Sequence, residues 1–302
     1  MQALFIGQTY IDITFLTDEL PTGDEKTIAR DYAVSFGGNA VTAGFACASL
    51  GSRPDIMCSL ADDWLARMFL DMAAKYGISI HGRKVRESSL SFIMPKDGKR
   101  AIVRCRDDDY LHPWQPLNLD GCRALHLDGH MPDAALHYAR ACRAGGILTS
   151  LDGGAVRPGT EDLLELIDVA VVSARFCEQL GFGIADTLDY LRSKGCRIGA
   201  VTIGDEGMHW YEGDGTNQHM PALDVPRERI IDTNGAGDIF HGAYIHHFLA
   251  HPEAGWEAHF RFARGASANA IQHLGNEASM PTEARVAEAI AQWPEKSSTV
   301  TV

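Results

Sequence analysis

The chain has 302 residues, 45 % of them hydrophobic, enough to bury one large α/β core. Its 27 basic against 40 acidic residues give a formal charge of −13, which argues against broad nucleic-acid binding but leaves room for a local basic pocket. Seven scattered cysteines, an odd number without a C-x-x-C pair, argue against a disulfide framework or a zinc site and for a reducing cytoplasm.

Residues 3–6 read as a first strand and lack the charged region of a signal peptide. Residues 10–36 hold turn signals and no long helical pattern. Small residues over 40–50 predict a helix that stops near Gly51, and 62–76 have helical spacing, with Leu65, Phe69, Met72 and Ala73 on one side. Residues 78–109 read as strand, turn, strand: 88–94, the turn Pro95-Lys96-Asp97-Gly98, then 99–106. Beyond them, buried strands at 124–127, 147–151, 169–172 and 198–203 alternate with helices at 132–144, 161–167 and 184–194. Helices return at 256–273 and 283–293, and the polar residues 296–302 are expected to fray. No apolar run reaches 18 residues, so no membrane span is expected. The alternation predicts a parallel sheet covered on both faces, in a single α/β domain over 1–302. The segments of roughly 10–36 and 78–109 would form a small β-sheet projecting from it, a lid able to exclude water.

The most informative motif is Asp232-Thr233-Asn234-Gly235-Ala236-Gly237-Asp238, set between Ile230-Ile231 and an apolar helical stretch. A turn of small residues at a helix start leaves backbone N–H groups free to hold an anion. A carboxylate beside such a site fits one task, accepting a proton from a hydroxyl while the amides hold a phosphoryl group. As a bare glycine turn the segment would be an ordinary strand-to-helix connection, but the full D-T-x-G-A-G-D pattern is far more specific.

This pattern, with Gly242-Ala243 after it, resembles the second signature of the ribokinase-like (PfkB) sugar kinases. The resemblance implies a ribokinase-like three-layer αβα sandwich and ATP as phosphoryl donor, with Asp238 as base and Gly235, Ala236 and Gly237 as anion hole. It also covers Gly7 and Asp12, the latter a sugar-binding aspartate, and Gly37-Gly38-Asn39-Ala40, the first glycine signature. Thr42 departs from the Asn common in the family. Ala61-Asp62-Asp63 resembles a usual Gly-Asp-Asp, and Thr202, Gly204 and Gly207 match a turn that borders ATP. Asn269 and Gly275 lie where the family shapes its adenine pocket. The family's Asn-x-x-Glu element, which helps to order Mg²⁺, is broken here to Ser173-Ala174-Arg175-Phe176, leaving Glu178 as a substitute acting through water. Asp232 and Ser279 stand where some members bind a monovalent cation. No G-x-x-x-x-G-K-[ST] loop is present in the sequence.

Along 100–106, alternation puts Arg100, Arg104 and Arg106 on one strand face, with Ile102 among them. Two readings stand: an anionic sugar held by guanidinium groups, or a solvated, charged lid face. Thr42 and Phe240-His241-Gly242-Ala243 also resemble the sulfofructose kinases, whose substrate is anionic. His130 follows a buried strand and is a substrate contact or a structural residue; Arg157 steers phosphates or caps a loop. Alternatives to a sugar kinase are a nucleoside or other small-alcohol kinase of this fold, or a ligand-binding relative without catalysis. Exposed edges of the small sheet make a homodimer through the lid an expectation.

Overall fold

The computed structural model describes residues 1–17, 19, 23–96 and 99–297. In chain order, the first half holds β1 (Ala3–Gly7), β2 (Tyr10–Leu16), β3 (Asp31–Gly37), α1 (Asn39–Ser49), β4 (Pro54–Leu60), α2 (Trp64–Lys75), β5 (Ser79–Lys84), β6 (Leu90–Lys96), β7 (Lys99–Cys105), β8 (Ala124–Leu127) and α3 (Pro132–Ala144). The second half holds β9 (Leu148–Gly153), α4 (Thr160–Leu164), β10 (Val169–Ser173), α5 (Ala174–Leu180), α6 (Ile184–Ser193), β11 (Ile198–Thr202), β12 (Met208–Glu212), β13 (Gln218–Met220), α7 (Ala236–Ala250), α8 (Trp256–Ala270), α9 (Asn276–Ser279) and α10 (Glu283–Gln292).

Nine strands form one sheet in the order β13-β12-β11-β10-β9-β8-β1-β4-β5, and four form a second in the order β3-β2-β6-β7. From β11 to β5 the large sheet is parallel. β12 pairs antiparallel with β11 because the 203–207 turn between them is too short for a crossover. The parallel strands alternate their side chains between two buried faces. On β1, Ala3 and Phe5 join a core with Phe45 of α1, Phe69 of α2, Tyr244 of α7 and Phe260 of α8. Leu4 and Ile6 join the opposite core with Tyr138 of α3, Leu163 of α4 and Leu188 of α6. Helix, sheet, helix is thus the layer order, as the sequence led us to expect.

Helix α7 is buried on every side from Ile239 to His246, packed between α1 and α8. A helix apolar all round belongs in a core, and here its first turn, Ala236–Asp238, emerges from that core into a cleft.

In the small sheet, Asp12 pairs with Ser35 of β3 and Ser91 of β6, and Ser91 with Arg104 of β7. These four side chains share one face. The other face carries Ile13, Phe15, Phe92 and Val103, with Val103 64 % exposed. Phe36 of β3 stacks on Phe45 of α1 at 3.6 Å between ring centroids, tying this sheet to the body.

Several details differ from the sequence reading. Residues 79–84, grouped with the projecting sheet, pair instead with β4 at the edge of the large sheet; their short, polar pattern hid a parallel edge strand. The helix expected over 161–167 spans only Thr160–Leu164. The 256–273 helix ends at Ala270, and α9 follows after Gly275, whose φ of 75° no helix accommodates. Helix α5 was not anticipated; Ser173, which breaks the family pattern, is its N-cap and accepts a bond from the Phe176 N–H at 3.4 Å. The Asp97-Gly98 turn and residues 298–302 lie outside the described residues.

Candidate active site

The N-terminus of α7 is the centre of the site. Gly235 enters the helix with φ 72°, and a Cβ there would collide with Asn276 Oδ1, so only glycine fits. The backbone N–H groups of Gly235, Ala236 and Gly237 have no partner among the described residues. Asp238 follows in the first turn, half-buried. Burial raises its proton affinity well above the usual carboxylate range, with Asp152 the next cause and Arg100 opposing.

On one side of this turn lies a cavity of about 800 Å³, lined by Thr202, Gly204, Gly207, Leu223, Ala236, Gly237, Ala268 and Ile271 among others. Its walls are largely apolar, while its inner end is the free amides of the α7 turn. Arg100 of β7 also lines it, and its Nη1 donates to Thr233 O at 3.0 Å. Such a cleft suits a flat base at one end and phosphates at the other.

On the other side stands a cluster of polar groups from separate elements. Asp12 Oδ2 accepts from Asn234 Nδ2 and Asn276 Nδ2, each at 3.2 Å. Asp12 Oδ1, Asn276 Oδ1, Thr42 Oγ1 and the Tyr10 hydroxyl are buried without a partner among the described residues. Unsatisfied buried polar atoms are costly, and four around one site describe a place for a hydroxyl-rich ligand. Burial pushes the Asp12 carboxyl up to about 6, against the lowering influence of the Ser91 hydroxyl, the Asn234 amide and the Arg104 cation. Asn39, at the start of α1, donates from Nδ2 to Asp152 Oδ2 at 2.9 Å. Gly38 precedes it at φ 103°, where any side chain would strike the Gln8 carbonyl. Gly37 ends β3 directly against the Asp12 carboxylate.

His130 is buried, and its ring Nδ1 and backbone N–H both lie on Asp128 Oδ1. Burial opposes ionisation of Asp128, but His130, Arg157 and the backbone amide outweigh it and hold the carboxyl down to about 2. Arg104 lies over the Tyr10 ring at 4.5 Å and donates to Ser91 Oγ. It has no carboxylate in ion-pair range among the described residues. Arg106 sits just beyond β7 and pairs with Asp108 at 2.9 Å.

The turn therefore brings Asp12, Gly37, Gly38, Asn39, Thr42 and Asp238 together, with Thr202, Gly204 and Gly207 across it. Other expected residues fall elsewhere. Asn269 lines a separate surface pocket with Arg285 and Glu288, while its neighbour Ala268 faces the cleft. Gly275 donates its N–H to Asp232 Oδ2 and accepts from Ser279 Oγ at 2.8 Å, so Asp232, Gly275 and Ser279 form one buried group behind the turn. Glu178 is exposed on α5 and Phe176 is fully buried in the core.

Sequence reading missed Asn234, Asn276, Asp128 and Asp152. The two aspartates end or follow parallel strands β8 and β9, where open parallel sheets hold their ligands, and that position was a usable signal. Asn276 joins the site only through the pairing of α9 with β3, which no local pattern announces.

Comparison with known proteins agrees with this geometry. Residues 2–283 match the model of the pfkB family of carbohydrate kinases. The ATP-dependent ribose-1-phosphate kinase of Halopiger xanaduensis is 29 % identical over 258 residues, covering 81 % of this chain and 84 % of that protein. A candidate ribokinase from Agrobacterium tumefaciens superposes with a TM-score of 0.86 at 26 % identity, over 96 % of this chain and 97 % of the other. The ribokinase of Arabidopsis thaliana, solved with ribose and ATP, gives 0.79 at 19 % identity, over 96 % and 98 %. Fold, site and sequence lead to one assignment: the chain belongs to the pfkB family of carbohydrate kinases and is an ATP-dependent kinase of the ribokinase type.

Proposed function

We propose that the protein transfers the γ-phosphoryl group of ATP to a hydroxyl of a sugar that carries an anionic substituent. The observation that carries this reading is the place of Asp238, in the first turn of α7 next to the free amides that face the cleft and within electrostatic reach of Asp12. Asp238 takes the hydroxyl proton. The amides of Gly235, Ala236 and Gly237 hold the transferring group, and Arg100 adds a cation. Asp12, Asn276, Asn39 and Asn234 hold and orient the sugar, and Thr42 supports the turn from below. The apolar cleft between Thr202 and Ala268 takes the base of the nucleotide. The small sheet closes over the acceptor as a lid that excludes water.

The anionic substituent is supported by Arg104, which lies on the Asp12 face without a carboxylate in ion-pair range among the described residues, and by Arg157, whose charge also reaches Tyr10. Arg106 adds a third cation near Tyr10. The ribose-1-phosphate kinase relative has a substrate of this charge class. His130, bonded to Asp128, would meet the same end of the sugar.

Mg²⁺ would enter with ATP. No group of three or more His, Cys, Asp or Glu among the described residues could hold a metal, so nucleotide phosphates and water would supply most of its ligands. When bound it neutralises phosphate charge. Asp232 suits a monovalent cation better: it is buried, its two oxygens meet only amides, and burial raises its proton affinity. The cation would balance that charge beside Ser279. Seven scattered cysteines without a C-x-x-C pair favour the reducing cytoplasm in which we place the protein. The apolar outer face of the small sheet, with Phe92 and Val103, would be covered in a homodimer.

A kinase screen over neutral and anionic ketoses and aldoses, with ribose 1-phosphate included, tests the reading. Turnover is expected on an anionic sugar, and Asp238→Asn should lower kcat by about 10²–10⁴-fold while ATP still binds; near-normal turnover in that variant refutes the base. Charge-assisted hydrogen bonds contribute about 1.5–3 kcal/mol each. Arg104→Ala with Arg106→Ala should therefore raise the sugar KM at least tenfold and leave the ATP KM alone. Unchanged kinetics in the double variant would remove the anionic substituent from the proposal. Light scattering should give a dimer mass for the wild type and a monomer mass for Val103→Asp; a wild-type monomer contradicts the lid interface.

A further inference from the structure

A buried line of polar side chains runs from the core to the cleft, and the kinase reading uses only its last member. It begins at His126 on β8, whose Nδ1 lies 3.0 Å from Ser150 Oγ on β9. Ser150 Oγ is 2.6 Å from the Tyr244 hydroxyl, which is 2.8 Å from His241 Nδ1 on the same helix, α7. His241 Nε2 then faces Asp152 Oδ1 at 3.6 Å, and Asp152 Oδ2 holds Asn39. Every member except Asn39 is at least nine-tenths buried. Polar groups in such a place are costly unless the whole line is satisfied.

Proton positions follow from the partners. Burial pushes both His126 and His241 down to about 3, so each is neutral and carries a single N–H. Burial raises the proton affinity of Asp152, while the Asn39 amide and the Arg157 cation favour its charged form; an ionised Asp152 only accepts, and a bare nitrogen lone pair opposite it would be repelled. The His241 proton therefore sits on Nε2. His241 Nδ1 accepts from Tyr244, Tyr244 accepts from Ser150, and Ser150 accepts from His126 Nδ1. Each donor points toward Asp152. The far end, His126 Nε2, has no partner, as a one-way line that stops in the core requires. At the cleft end, the Asn39 amide turns its nitrogen to Asp152 and keeps Oδ1 to accept a hydroxyl.

Asp152 also acts on the base. His241 and Asp238 are three residues apart on α7, hence on one helix face. After burial, the Asp152 charge is the largest influence raising the proton affinity of Asp238. The charged groups facing Asp238 are Asp152, Asp12, Asp128 and the opposing Arg100. Those facing Asp152 are His126, His241, Asp128, Arg157 and the Asn39 amide.

We propose that Asp152 and His241 are positioning residues for phosphoryl transfer, fixing Asn39 on the acceptor and keeping a negative charge beside Asp238. The proposal rests on the kinase reading. His241 also lines the nucleotide cleft, so the cleanest probe of the line is Tyr244, which touches neither ligand site.

The test is the pH profile of kcat and kcat/KM for the best sugar of the screen, with the KM values of sugar and ATP measured separately. Asp152→Asn removes the neighbouring charge, so Asp238 loses its proton more readily and becomes a weaker base. The acid limb should move about one unit lower, plateau kcat should fall, and sugar KM should rise with ATP KM unchanged. Asp152→Glu, which keeps the charge, should leave the acid limb in place. Tyr244→Phe should raise the sugar KM several-fold without moving the ATP KM. An active wild type with an Asp152→Asn profile and sugar KM identical to it overturns the positioning role alone. No transfer by wild type to any sugar overturns the kinase reading, and this proposal with it. Should Asp152→Asn fail to bind ATP or to fold, Tyr244→Phe decides, and an unchanged sugar KM overturns the proposal.

Discussion

The whole site depends on one electrostatic arrangement, a carboxylate held in the first turn of a buried helix whose leading amides are unpaired. Free N–H groups and the helix dipole favour negative charge at that end, yet burial and three other aspartates make Asp238 reluctant to ionise. The two tendencies act on different partners. In the proposed transfer the amides hold the phosphoryl group, while Asp238 takes the proton. Helix α7 makes this arrangement feasible, since its buried body from Ile239 to His246 anchors a first turn that opens on the cleft.

The rest of the fold arranges charge around that point. The large parallel sheet delivers Asp128 and Asp152 from adjacent strands β8 and β9. The small sheet brings Asp12 on its inner face together with Arg104, and sends Arg100 across to the α7 turn. Strand β7 thus carries cations both to the α7 turn and to the Asp12 face.

Much of this was legible from residue order. The D-T-x-G-A-G-D turn is local: its glycines, its aspartate and the following apolar helix are contiguous, so one stretch of sequence specifies the geometry. The αβα layering was likewise readable from short apolar runs separated by helical spacing. Legibility failed where a role depends on distant pairing. Asn276 reaches Asp12 because α9 packs on β3, 240 positions away from Phe36, whose carbonyl it also meets. Residues 79–84 fall within the stretch grouped with the small sheet until β4 claims them as an edge strand. Asn269 and Ala268 are neighbours in sequence but point to different pockets, a distinction that helix phase near a chain bend decides. The broken Asn-x-x-Glu element shows local physics overriding a motif, with Ser173 capping α5 and Phe176 filling the core.

The most direct measurement is a structure of the protein with a non-hydrolysable ATP analogue and its sugar together. The acceptor hydroxyl is expected within about 2.6–3.2 Å of an Asp238 carboxylate oxygen, with the terminal phosphate on the amides of Gly235, Ala236 and Gly237. A sugar bound with all of its hydroxyls out of reach of Asp238, or a phosphate held away from those amides, would contradict the division of labour on which everything else rests.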